Sequence, residues 1–134
     1  MASKYAPEAY QEMQVLGSDP RQLVVLLCQA LLRYLVRAED AIGREDWETK
    51  ADALNRAQQI LSELICALDE EVGGELAEQL RALYAHLQMQ LVDVDLQDDL
   101  DRLAYVTEIA TKLVSAWEEA LDRCQEQQIQ ERAA

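Results

Sequence analysis

The stretch DPRQLVVLLCQALLRYLVRAEDAIG, residues 19–43, decides the fold. Asp19 offers a carboxylate to the free amides of a helix start. Pro20 fits the first helical position, where no amide hydrogen is needed, and Gln22 completes a capping-box pattern. Leu23, Leu27, Leu31, Tyr34, Leu35, Ala38 and Ile42 follow at helical spacing, and Val24, Leu32 and Val36 lay a second stripe beside them. A helix apolar on most of its sides is either central in a bundle or half covered by a partner. Gly43 supplies a stop. The run from Leu23 to Val36 is shorter than the ~20 residues of a membrane span and is interrupted by Gln29 and Arg33, so it reads as a buried helix.

The pattern repeats outward from there. Asp46 is placed to cap a second helix carrying Trp47, Ala51, Leu54, Leu61, Ile65 and Leu68, with Ala53, Ala57, Ile60 and Leu64 widening its stripe. This helix is expected to end between Asp69 and Val72, with Gly73-Gly74 as a tight turn. A third helix carries Leu76, Leu80, Leu83, Leu87 and Leu91 and is expected to fade over Val92–Asp95. A fourth carries Leu100, Leu103, Val106, Ala110, Leu113, Trp117, Leu121 and Cys124, and the polar tail from Gln125 is expected to fray at its end. No stretch alternates with the period of a strand. Long helices with short connections must fold back on one another. The fold expected is all-α, an antiparallel up-down four-helix bundle over residues 18–134, forming a single domain. Residues 1–17 form a short N-terminal leader, or cap segment, in which Tyr5, Tyr10, Met13 and Leu16 lie near one face of a short helix.

Composition narrows the function. The net charge of −14 repels nucleic-acid backbones and anionic membrane surfaces, so neither nucleic-acid binding nor membrane insertion is expected. The N-terminus MASKYAPEAY has no apolar core of a signal peptide, which points to a cytoplasmic protein. Cys28, Cys66 and Cys124 are odd in number and widely spaced, and they read as small buried hydrophobes in a reducing compartment. His86 is the single histidine, and the residue three before it is Leu83, so the Glu-x-x-His step of a dimetal bundle is missing. Asp93, Asp95, Asp98, Asp99 and Asp101 resemble a calcium loop only in charge, because Asp98 and Ala104 stand where Gly and Glu are required. These carboxylates read instead as caps for the last helix. Nucleophile elbow, phosphate loop and dinucleotide fingerprint are absent. The expectation is a protein without catalytic, metal or cofactor residues, acting by binding another protein.

The order and spacing of several short elements resemble the flagellar secretion chaperones of the FliS type. They are Tyr10-Gln11, Ser18-Asp19-Pro20 with Leu23, Leu64 with Leu68-Asp69, Gly73-Gly74-Glu75 with Leu80, Leu83 and Tyr84, and Ala116-Trp117-Glu118-Glu119. The sequence departs from the family where Leu27-Cys28-Gln29-Ala30 replaces a Tyr-Asp-Gly step, and at Ala85-His86-Leu87-Gln88. The resemblance implies a four-helix bundle that binds the C-terminal segment of flagellin, prevents its premature polymerisation and keeps it competent for flagellar type III export. Other flagellar export components are further partners that it implies. The partner-binding residues that follow are Tyr5 and Tyr10 in the leader, Leu23, Leu27 and Leu31 lining or underlying a groove on the first helix, and Leu83, Tyr84 and Leu87 on the third. The alternative is an adaptor or regulator on the same bundle with a different protein partner.

Overall fold

The computed structural model describes residues 20–133. Among these the chain forms helices α1 (Pro20–Gly43), α2 (Trp47–Cys66), α3 (Glu70–Gln97) and α4 (Leu100–Ala133), and no strand. The expected all-α bundle is the fold observed. Each helix packs on two others, in the ring α1–α2–α3–α4 closed by α4 against α1. Cross-helix pairs give the directions. Lys50 of α2 reaches Asp95 and Asp98 of α3, whereas Gln58, further along α2, reaches Gln88, earlier along α3. Likewise His86 of α3 meets Tyr105 of α4, and Gln90 meets Arg102.

The core is aliphatic, as the lack of phenylalanine requires. Leu31, Leu35, Ile60, Leu61, Leu64, Leu87, Leu91 and Leu103 are fully buried, joined by Tyr84 and Cys28. Ala38, Ala53 and Ala57 are fully enclosed as well, and such small side chains let helices approach closely. Cys28 behaves as the expected small hydrophobe, its thiol pushed up to about 12 by burial. Cys66 does not: it is exposed at the end of α2, where the helix leaves the core.

The ends of the helices refine the sequence reading. Asp46 caps α2 as expected, its side chain accepting from the Thr49 amide at 3.2 Å. Gly43 is the last helical residue, yet the left-handed residue is Glu45, with φ 57°. The amides of Asp46 and Glu45 donate to the carbonyls of Ala41 and Ile42, at 2.8 and 3.1 Å, the paired bonds of a Schellman close. Gln22 Oε1 has no hydrogen-bond partner among the described residues, and Asp19, the other half of the expected capping box, lies outside them. The leader residues Tyr5, Tyr10, Met13 and Leu16 lie outside them too.

Three expectations are overturned. Helix α2 ends at Cys66, not between Asp69 and Val72, and the chain turns over Ala67–Asp69. Asp69 then caps α3 by accepting from the Val72 amide at 3.2 Å, so Gly73-Gly74 falls inside α3. There it makes a kink rather than a turn: Gly74 sits at φ 53°, ψ −127°, outside helical space. Helix α3 continues through Asp95 to Gln97. Helix α4 runs to Ala133, and Ala134, the end of the tail, lies outside the described residues. Asp99 caps α4 through the Arg102 amide, in keeping with the capping role read for the aspartates.

The kink gives a test. A Cβ on Gly74 would touch nothing within 4 Å, so Gly74→Ala adds backbone strain and no clash. The substitution is expected to cost about 1–3 kcal/mol, read as a lower urea midpoint.

Candidate functional site

The two ends of the bundle differ. At the end holding the α1–α2 and α3–α4 connections, Lys50 is nearly enclosed. Its ammonium donates to Asp98 at 2.5 Å and to the Asp95 carbonyl at 2.9 Å, and lies 5.5 Å from the Trp47 ring centre. Burial alone would lower its pKa. The hydrogen bonds and charges of Asp98 and Asp95 outweigh that and hold it above the ordinary lysine range. Two aspartates read only as caps from sequence thus form a clasp from α2 to the α3–α4 corner.

At the other end the bundle opens into a cleft of about 460 Å³. Val24 of α1, Leu64 and Leu68 from the end of α2 and the following turn, Leu76 and Leu80 of α3, and Trp117 of α4 supply its apolar lining. The kink carries Val72 and Leu76 away from the core. Val72 is 85% exposed and Leu76 62%, high values for aliphatic residues lining one cavity. The floor holds Tyr84, with Trp117 of α4 lining the same cleft. Burial, the largest influence, pushes the Tyr84 phenol up to about 12.

Of the residues expected to bind a partner, Tyr84 lines this cleft. Leu23, Leu27, Leu31 and Leu87 are buried in the core, and Leu83 is half-buried against it. They underlie the surface rather than form it. Tyr5 and Tyr10 are outside the described residues. The sequence reading did not single out Leu64, Leu68, Val72, Leu76 or Trp117 as contacts. A usable signal was present in Val24, which belongs to the second stripe of α1. Another was the apolar pair Val72 and Leu76 flanking two glycines.

Glu63 stands beside the cleft residue Leu64, and its Oε1 is enclosed without a hydrogen-bond partner. Burial raises its pKa above the ordinary glutamate value of 4.5. The folded chain therefore holds this proton more tightly than the unfolded chain. That contribution to stability is fully present below the unfolded pKa and is lost as pH rises through the folded value. Glu63→Gln is expected to raise the urea midpoint at pH 7 and to leave it unchanged at about pH 3.

Among the described residues, no group of three or more His, Cys, Asp or Glu is arranged to hold a metal ion. His86 instead pairs with Tyr105, 3.0 Å from its hydroxyl. No helix among them is long and apolar enough to cross a membrane.

A helical bundle that opens at one end into an apolar cleft presents the kind of groove in which amphipathic helices can dock. Comparison with known proteins identifies the family. The profile of the family described as Flagellar protein FliS matches residues 1–124. The chain is 35% identical over 120 residues to the flagellar secretion chaperone FliS of Campylobacter jejuni, covering 89% of this chain and 93% of that protein. It is 31% identical over 121 residues to the flagellar secretion chaperone FliS of Bacillus subtilis, covering 90% of each. It is 33% identical over 117 residues to the flagellar secretion chaperone FliSB of Pseudomonas aeruginosa, covering 87% of this chain and 93% of that protein. The chain belongs to the FliS family of flagellar proteins.

Proposed function

We propose that this protein is a cytoplasmic export chaperone that binds the C-terminal segment of flagellin. In this reading it prevents premature polymerisation and keeps the flagellin competent for flagellar type III export. It works as a clamp without chemistry and uses no cofactor. The observation that carries the reading is the apolar cleft between the end of α2 and the kinked start of α3, on a chain whose relatives are flagellar secretion chaperones. A segment that folds as it binds loses conformational freedom, and it must bury considerable apolar surface to offset that cost. The exposed side chains of Val72 and Leu76 offer such surface.

The leader belongs to the same reading. Pro20, the first described residue, lines the cleft. Tyr5 and Tyr10 would cover apolar surface there when flagellin is absent. Leu23, Leu27, Leu31, Leu83 and Leu87 would support the walls from beneath, with Tyr84 as the floor.

Titration calorimetry with the C-terminal segment of flagellin from the same organism tests the proposal. Binding with a negative heat-capacity change is the expected result. A folded chain that fails to bind at about tens of micromolar would overturn it and favour an adaptor for a different protein.

A further inference from the structure

The first turn of α3 is a unit of its own. The Asp69 side chain accepts from the Val72 amide, and the Gly73 amide donates to the Asp69 carbonyl at 2.7 Å, so Asp69–Gly73 closes on itself. It runs into the rest of α3 through Gly74, whose φ 53° and ψ −127° lie in backbone space open to glycine alone. Gly73 is needed as well. A Cβ built there would stand 2.8 Å from the Ala77 Cβ, closer than side chains approach. On a straight helix, positions four apart hold their Cβ atoms about 5–6 Å apart, which leaves room for alanine at both. The kink therefore draws the first turn in against the second.

An ion pair spans the kink. Arg81 pairs with Glu70, 11 residues earlier. On a straight helix that separation covers about 16 Å, far beyond the three- or four-residue spacing at which side chains meet. The contact exists because the chain bends at Gly74, and it in turn holds the bend. Neither Glu70 nor Arg81 lines the cleft, whereas Asp69, Val72 and Gly73 of the tethered turn do. We propose that the Glu70–Arg81 pair is a latch that keeps the first turn of α3 bent and so keeps the cleft shaped for its guest. Glu70 and Arg81 are positioning residues: they act through Val72 and Gly73 without touching what enters. Once the latch is released, α3 straightens at Gly74 and the wall that Val72 supplies leaves the cleft. The inference rests on the cleft being the partner site.

Calorimetry and backbone chemical shifts on the full-length chain test it, with the C-terminal segment of flagellin as the probe. Both members of the pair are half-exposed, so the latch has the strength of a surface ion pair. Glu70→Gln and Arg81→Gln should each weaken binding about twofold to fivefold at low salt. The double variant should lose no more than either single one, because both remove the same contact. Arg81→Lys, which keeps the charge, should bind nearly as the parent does. The gap between the parent and the Gln variants should close at about 500 mM salt, where an exposed pair is screened. Gly73→Ala, which burdens the bent form alone, should weaken binding too. In the absence of guest, the shifts of residues 70–77 should move toward straight-helix values in Gly73→Ala and in Arg81→Gln. Arg44→Gln breaks an exposed pair with Asp40 at the far end of the bundle and should change neither reading. Additive losses in the double variant, an equal loss in Arg44→Gln, or unmoved shifts in Arg81→Gln would each overturn the latch. If flagellin binds the parent and both Gln variants alike, the latch fails and the chaperone reading survives. If the parent refuses flagellin while the shifts move as expected, the chaperone reading falls and the latch on the bend stands.

Discussion

Replacing Leu61 with alanine is expected to destabilise the protein by about 2–5 kcal/mol, the usual cost of emptying a close-packed leucine site. Leu61 is fully enclosed and belongs to the central cluster with Leu31, Leu35, Ile60, Leu64 and Leu87. It stands one helical turn past Ala57, itself fully buried. Alanines around a deleted leucine have no longer side chain with which to fill the space, so the value should fall high in that range. Urea unfolding followed by far-ultraviolet circular dichroism measures it. An unchanged midpoint would contradict the packing described. The loss should appear without any change in helical content below the transition, because Leu61 touches no cap.

The second large effect concerns binding and should leave stability almost untouched. Leu76→Glu removes an aliphatic side chain that is 62% exposed and lines the cleft. It also places a further carboxylate beside Glu75. Exposed positions away from caps change stability by about 0.5 kcal/mol or less, so the urea midpoint should hardly move. Affinity for the flagellin C-terminal segment should fall by about tenfold or more, the loss typical of a residue central to an interface. Urea unfolding reads the first quantity and titration calorimetry the second. If Leu76→Glu binds as tightly as the parent, the cleft is not where the segment seats.

The contrast between these two leucines explains how much was legible in the sequence. Helical spacing marks a position as apolar-facing, and for α1 and most of α2 that was enough to place the core. It does not distinguish a leucine packed against other helices from one facing a cleft, because both obey the same period. Leu27 and Leu31, expected to line or underlie a groove, and Leu87, expected on a contact strip of the third helix, are buried in the core; Val72 and Leu76, the exposed pair, were not singled out as contacts. What separates them is the position of the α2–α3 turn. Asp69-Glu70-Glu71 carries no glycine or proline, whereas Gly73-Gly74 has the composition of a turn, so the end of α2 was expected three to six residues too late. The cap at Asp69 is a matter of backbone geometry that composition does not reveal. The same applies to Lys50, whose neutralisation by Asp95 and Asp98 depends on two helices meeting end to end. By contrast the Asp46 cap, the buried Cys28 and the all-helical class followed from local chemistry and were readable directly.

The clasp and the cleft together give the molecule a mechanical polarity. Two connections and the Lys50 contacts with Asp95 and Asp98 tie the helices at one end. At the other, α2 and α3 are joined by Ala67–Asp69, while α1 begins and α4 runs on without a covalent link to its neighbours. Among the described residues, the bundle therefore has two covalent ties and an ionic clasp at one end and a single short turn at the other, so a small splaying of α1 from α4 would change the width of the cleft without disturbing the tied end.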